Sequence, residues 1–477
     1  MNPSDTRLMR QDHHSPLPVV CVQGLGFVGA AMAVAVADAK HRDGSPAFEV
    51  VGVDLPNPEG QRRIAEINAG RFPLGTVDPL LQSAVAAAHQ RGNLSATSDP
   101  TVYGKASVAI VDVHLDVRTQ DGIPTADMSG LRAALRTLGE RLAEGALIII
   151  ETTVPPGTTA KVAAPELELA LRARGLPSTG LLLAHSYERV MPGPDYLRSI
   201  TNMWRVYAGH THAAACACHD FLSRIVDTSR FPLTRLASTT ASETAKVLEN
   251  TYRAVNIAFI EEWSRFAEAV DIDLFEVVEA IRVRPTHSNI RQPGFGVGGY
   301  CLTKDPHFGA IAARQLFGRS DLTFPFSTQA ISVNAAMPIG TVDRLERLLG
   351  GSLRGKAILL LGVAYRSDVA DTRHSPSEAF AREVTRRGAV VVCHDPLVKY
   401  WEELHTTLLA DVPPAAGFDA AVLAVPHAEY VAFDFAGWLA GTRCAVLDAN
   451  RVLPPAMIAA LRESGTRVVV NGIGGPA

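Results

Sequence analysis

Cys301 closes a glycine-rich loop, Gly294-Phe295-Gly296-Val297-Gly298-Gly299-Tyr300, and Lys304, Asp305 and Pro306 follow directly. Glycines let a backbone approach a ligand closely, so the thiol is presented to a substrate instead of a core. A lone cysteine is more often a small buried hydrophobe. With a free pKa of about 8.5, it becomes a nucleophile at neutral pH only beside a cationic or polar neighbour. A second constellation lies near the N-terminus. A β-branched run leads straight into Gly24-Leu25-Gly26-Phe27-Val28-Gly29 and then an Ala/Val-rich helical stretch. Gly24 permits the tight turn, Gly26 lets the backbone approach a pyrophosphate and Gly29 allows close helix-to-strand packing. The pyrophosphate would rest on the helix N-terminus, where Phe27 and Val28 begin the helix. The next run, Val50-Val51-Gly52-Val53, ends in Asp54. Its carboxylate can accept from both ribose hydroxyls and would repel a 2'-phosphate, which selects NAD over NADP. Asp54 falls later than the usual spacing because residues 40–48 read as an inserted polar connection.

These groups need elements to hold them. Short β-branched runs alternate with Ala-rich amphipathic stretches from Pro18 to about Asp227, the pattern of strand-helix-strand units in a parallel sheet. Strands are expected at 19–22, 50–53, 108–111, 147–150 and 181–184. Over 238–283 the chain is almost free of Gly and Pro, with apolar residues at helical spacing, so a long helix or a broken pair belongs there. The Gly/Pro-rich loop 292–306 follows, and beyond Pro338 the alternation resumes, with strands at 357–361, 389–393, 420–425 and 445–447. The expected fold is α/β, with two Rossmann-like doubly wound domains joined by a helical middle that carries a long central helix. Its divisions are a disordered tail at 1–18, an NAD-binding domain at 19–230, a central helical domain with the cysteine loop at 231–337, and a second α/β domain at 338–477.

Composition removes several function classes. The chain has 477 residues, is 47% hydrophobic and 20% charged, and carries a net charge of -4 without a basic block, so it has no electrostatic footprint for duplex nucleic acid or an anionic membrane. Any anionic ligand must be held locally. The six cysteines show no disulfide-framework spacing, which fits a reducing compartment. Cys216-Ala217-Cys218 is not a metal-type pair, and no metal is expected. Residues 1–18 lack the apolar core of a secretory signal, and no apolar run approaches the roughly 20 residues that span a bilayer. A cytoplasmic protein is expected.

Around Cys301 the chain resembles the UDP-glucose/GDP-mannose dehydrogenase family, whose signature is a glycine-rich loop ending in Gly-Gly-x-Cys, followed shortly by Asp-Pro. The resemblance covers nearly the whole chain in the expected order. Glu151-Thr152-Thr153-Val154-Pro155-Pro156-Gly157-Thr158 is similar to the family's Ser/Thr-Thr-Val-x-Pro-Gly turn, which implies that Thr153 holds a catalytic water near the nicotinamide. Tyr187-Glu188-Arg189-Val190-Met191-Pro192-Gly193 resembles its acid loop, making Glu188 an active-site carboxylate with Arg189 beside the substrate. The segment from Glu243 to Asn250 matches the helix that supplies a catalytic lysine and asparagine, here Lys246 and Asn250, on one face. Leu361-Gly362-Val363-Ala364-Tyr365-Arg366 and Asp371-Thr372-Arg373 resemble the nucleotide-binding stretch, with Tyr365, Arg366 and Arg373 near the ligand and Phe295, Gly296 and Gly298 against the sugar. The resemblance implies NAD as cofactor, a UDP-sugar as substrate and a homodimer through the central helix. The implied reaction oxidises a primary alcohol at C6 to a carboxylate through a thiohemiacetal and a thioester on Cys301, consuming two NAD. A Thr-bound water near Asp305 or Lys246 would take the alcohol proton, and Lys246 would favour the Cys301 thiolate.

The chain also departs from the family. Asp112-Val113-His114-Leu115-Asp116-Val117 stands where most members carry a Pro-Thr-Pro cofactor loop. Tyr187 replaces the usual proline, Tyr300 replaces His or Ser before the cysteine, and Phe295 stands where Pro is common. These last three line or abut the sugar pocket, which leaves room for an unusual sugar. The Glu-Arg-Val-x-Pro-Gly acid loop resembles members acting on UDP-N-acetylhexosamines more than those acting on UDP-glucose. Two other readings compete. A single-step β-hydroxyacid-type dehydrogenase has no use for Cys301 or a second α/β domain, and a catalytically silent nucleotide-sugar-binding protein has no need of Cys301, Lys246 and Asp305 together.

Overall fold

The computed structural model describes residues 16–475, so the expected tail at 1–18 lies almost wholly outside the described residues. The N-terminal part contains β1 (Val19–Gln23), β2 (Glu49–Val53), β3 (Leu94–Thr97), β4 (Ala106–Val111), β5 (Asp116–Gln120), β6 (Ile123–Asp127), β7 (Leu147–Ile150), β8 (Leu182–Tyr187), β9 (Val206–Gly209) and β10 (Thr234–Arg235). Eight of them form one sheet in the order β10-β9-β8-β7-β4-β1-β2-β3. It is parallel from β3 to β8, and β9 turns antiparallel against β8. The apolar runs 108–111 of β4 and 147–150 of β7 fit this placement, since a parallel strand is covered on both faces. Each face carries its own apolar core. The chain leaves β1 toward β2 and returns on the other side at β4, so a crevice opens where the ends of β1 and β4 diverge, the usual ligand position in such sheets. Helix α1 (Phe27–Asp38) starts at this crevice and is buried from Gly29 to Ala37.

The helical middle is a broken pair followed by a third long helix. Helix α2 (Thr239–Ala269) begins where the Ser238 side chain accepts from the Ala241 amide at 3.2 Å, and its 31 residues reach about 46 Å. It ends before Asp271, which has a positive φ, and Asp273 caps α3 (Leu274–Arg282). Helix α4 (Pro325–Leu348) crosses α2, and Asn334 donates to the Ala254 carbonyl at 3.0 Å. Pro338 lies inside α4, although the sequence reading placed the end of the helical middle there. Packing along both sides of Pro338 outweighs the hydrogen bond that a proline removes from a helix. Next come β11 (Ala357–Leu361), β12 (Val390–His394), β13 (Ala420–Leu423), β14 (Ala445–Asp448) and β15 (Val468–Val470), a parallel sheet ordered β12-β11-β13-β14-β15. The strand order reverses between β11 and β13, giving a second crevice. The α/β class with two Rossmann-like sheets and a long central helix agrees with expectation. The β5–β6 hairpin, and the short strands β3, β9, β10 and β15, were not foreseen. Among the described residues no helix is long and apolar enough to cross a membrane.

Candidate active site

At the first crevice Gly24 has φ +93°, and a side chain there would strike the Asp112 carbonyl. A side chain at Gly29 would strike the Gly24 carbonyl. The turn is therefore closed tightly onto the end of β4. A Cβ at Gly26 would meet nothing within 4 Å, which leaves open space at the helix N-terminus beside Phe27 and Val28. That space, with Asp54 at the end of β2, fits a dinucleotide. Asp54 accepts from Leu25 N at 3.3 Å and is paired with Arg63 at 2.7 Å, a partner the sequence reading did not name.

The thiol site gathers side chains from four separate segments. Lys246 and Asn250 lie one turn apart on α2, both buried. The Lys246 ammonium donates to the Glu188 backbone carbonyl at 2.7 Å and lies 3.4 Å from its carboxylate. Asn250 donates to Asp305 Oδ2 at 2.7 Å, and Lys304, which had been assigned no role, donates to Asp305 Oδ1 at 2.8 Å. Asp305 is completely buried and follows Cys301 in a tight turn, its amide donating to the Cys301 carbonyl at 2.9 Å. Glu243, also on α2, accepts from the amides of Gly157 and Thr159 and so fixes the turn that carries Thr153. Thr153 is half-buried, and its neighbour Thr152 donates to the carbonyls of Val111 and Val113.

Burial opposes the charge of Lys246, but Glu188, Cys301 and Asp305 outweigh it and hold its pKa above the ordinary value. Lys246 therefore stays a cation. Cys301 reaches solvent, yet the protein around it and the Asp305 carboxylate push its thiol up to about 11, against the opposing pull of Lys246 and Lys304. Lys246 therefore favours the thiolate, but desolvation and Asp305 outweigh its pull.

The second crevice faces the same loop. Asp395 accepts from the amides of Val363 and Ala364 and pairs with the buried His427, fixing the turn that presents Tyr365 and Arg366. His427 is thus a structural residue, and Asp448 likewise accepts from the amides of Asn450, Val452 and Leu453. Arg373 is paired with Asp371 at 2.8 Å, and its guanidinium lies 4.7 Å from the Phe27 ring centre, so the third domain reaches the dinucleotide turn.

Four residues expected at the substrate have packing or pairing roles within the protein. Phe295 is buried in the core of the third domain, its ring 5.5 Å from Phe380, and does not line a sugar pocket. Gly296 and Gly298 leave room for Pro376 and Tyr365, so their missing side chains serve the approach of two domains. Arg189 is committed within the protein, bonded to Glu249 and the Trp204 carbonyl. The tyrosine that replaces proline at 187 joins the same group, donating to Glu249 at 2.9 Å.

Arg366, expected near the ligand, has a basic neighbour that the sequence reading did not name, Arg253. Burial and the like charges of Arg291 and Arg366 hold the Arg253 guanidinium below its usual pKa, with Cys301 also within electrostatic reach. Arg291 Nε is buried without a partner among the described residues. Arg253 lies three residues beyond Asn250 and seven beyond Lys246, the spacing of one helix face, and that signal was available.

Two crevices at sheet switch points thus lie on either side of one buried polar site and a thiol loop, an arrangement suited to two nucleotide ligands. Models of the UDP-glucose/GDP-mannose dehydrogenase family match all three parts: the NAD binding domain over 19–225, the central domain over 240–336 and the UDP binding domain over 359–455. The chain belongs to this nucleotide-sugar dehydrogenase family, and NAD is its cofactor. It is 31% identical over 415 residues to a UDP-N-acetyl-D-mannosamine dehydrogenase of Methanocaldococcus jannaschii, covering 87% of each chain. It is 27% identical over 422 residues to an NDP-N-acetyl-D-galactosaminuronic acid dehydrogenase of Ralstonia nicotianae, covering 87% of this chain and 92% of that one. A solved UDP-D-ManNAc dehydrogenase from Pyrococcus horikoshii superposes with a TM-score of 0.78 at 26% identity, over 95% of this chain and 99% of that one.

Proposed function

We propose that the protein oxidises the C6 primary alcohol of a UDP-N-acetylhexosamine to a carboxylate in two steps on one site. The observation that carries this reading is the convergence of Cys301, Lys246, Asn250, Asp305 and Glu188 between the two crevices. NAD, when bound, supplies the hydride acceptor for each oxidation. Lys246 and Asn250 stabilise the oxyanion that develops at C6, and water ordered by Thr153 and Asp305 takes the alcohol proton. The Cys301 sulfur bonds to the aldehyde carbon, and its proton ends on the former carbonyl oxygen, giving a thiohemiacetal. Loss of a second hydride and a proton leaves a thioester. Water assisted by Glu188 breaks its C–S bond, releasing the acid and restoring the thiol. Arg253, Arg291 and Arg366 supply the cationic field for the diphosphate, which the net charge of -4 does not provide globally.

The choice of sugar rests on the acid loop and on what the relatives act on. UDP-N-acetylmannosamine or another UDP-N-acetylhexosamine should therefore give the highest kcat/KM when UDP-sugars and GDP-mannose are compared by NADH absorbance. Preference for UDP-glucose or GDP-mannose would overturn it.

A homodimer through α2 is part of the same reading. Leu248, Tyr252, Phe259, Trp263 and Phe266 on α2 and Val270 at its C-cap are all exposed, and their spacing of three, four and seven residues makes one apolar stripe. A second copy would cover it. Sedimentation at micromolar concentration should show a dimer that Trp263→Glu dissociates, and a native monomer would contradict the reading.

A further inference from the structure

Two departures from the family pattern, distant in sequence, meet in space. The Tyr300 hydroxyl lies 2.5 Å from His114 Nε2, 2.6 Å from Asp116 Oδ1 and 2.7 Å from the Leu115 carbonyl oxygen. His114 Nε2 is also 2.8 Å from Asp116 Oδ1. Two protons serve these contacts. An imidazole protonated at Nε2 donates toward Asp116 and the phenol oxygen, and the phenol proton goes to Asp116 or to the Leu115 carbonyl. The His114 and Tyr300 rings stack at 4.2 Å. Lys304, the ammonium that holds Asp305, lies 4.5 Å from the Tyr300 ring centre.

The position of this cluster gives it meaning. On one side Tyr300 is bonded covalently to Cys301. On the other, His114 lies two residues beyond Asp112, whose carbonyl closes against Gly24 and whose Cβ closes against Gly29 in the dinucleotide turn. The β5–β6 hairpin starts at Asp116 and is pinned to the segment that follows the cysteine loop: Ala126 N donates to Gln315 Oε1 at 3.5 Å and Arg314 donates to the Pro124 carbonyl. His114 and Asp116 are more than half exposed, at 54% and 57%, so their pairing contributes little to global stability.

We propose that His114, Asp116 and Tyr300 are positioning residues that tie the cysteine loop to the end of β4, so that the placement of Cys301 follows occupancy of the dinucleotide site. The proposal rests on the reading of Cys301 as the nucleophile.

The test uses the full-length protein and follows alkylation of Cys301 by iodoacetamide, read on the Cys301 peptide by mass spectrometry because Cys216 is also exposed. Saturating NAD should change the native alkylation rate by about fivefold or more. In Tyr300→Phe and His114→Ala this change should fall below about twofold, with kcat down about tenfold while KM for the sugar and Kd for NAD stay within about threefold. His114→Gln, which keeps an N–H donor toward Asp116 and Tyr300, should restore most of the NAD effect. A native protein whose alkylation ignores NAD, or a Tyr300→Phe or His114→Ala protein that keeps the full NAD effect, would overturn the proposal. If Tyr300→Phe does not fold, His114→Ala at its exposed site decides alone. Native protein that shows the NAD effect but forms only one NADH per sugar leaves the tie standing and removes the covalent reading instead.

Discussion

Cys301→Ser will lower turnover by several orders of magnitude while changing nucleotide-sugar affinity little. The substitution is nearly isosteric, and neither the basic cluster nor the dinucleotide turn uses the sulfur. A serine hydroxyl is a far weaker nucleophile at neutral pH, and an alkoxide a far poorer leaving group than a thiolate. The first oxidation can still run, so residual NADH should approach about one per site, with aldehyde or its hydrate bound or released. Stopped-flow absorbance with product analysis measures both quantities. Near-native turnover with two NADH per sugar would make Cys301 only a small residue beneath a glycine loop.

Lys246→Ala comes next in expected effect. Removing one preorganised donor from a developing oxyanion lowers kcat by about 10²–10³-fold. Lys246 also donates to the Glu188 carbonyl and opposes the upward push on the Cys301 thiol, so its loss touches both oxidations. The sign for the thiol follows directly. Lys246 favours the thiolate, so without it the alkylation profile of Cys301 should move to higher pH than in the native protein. Steady-state kinetics together with the pH dependence of alkylation check this. A kcat within about threefold of native, with an unmoved profile, would show that Lys246 is a structural cation.

The parts of this site that sequence made legible are those with a strict backbone or spacing requirement. Gly24 and Gly29 are demanded by a turn closed onto Asp112, and Lys246 and Asn250 by a shared helix face. Phe295 was misread because a glycine loop suggests ligand contact throughout, whereas an aromatic set between glycines anchors the loop in the neighbouring core. Pro338 was read as a boundary from local propensity, and tertiary packing carried the helix through it. No spacing rule reveals that desolvation and the wholly buried Asp305 would together outweigh the pull of Lys246 on the Cys301 thiol. The His114–Tyr300 pairing was beyond reach because it joins residues 186 positions apart in the chain. Sequence marked both as departures without indicating that they depart together.

The most direct measurement of the central claim is the number of NADH molecules formed per nucleotide sugar consumed, with the acid identified by mass spectrometry. A four-electron oxidation through Cys301 predicts two NADH and a product carrying a C6 carboxylate. One NADH with an aldehyde as the final product would place the protein with single-step dehydrogenases and contradict the account, and none would reduce it to a nucleotide-sugar-binding protein.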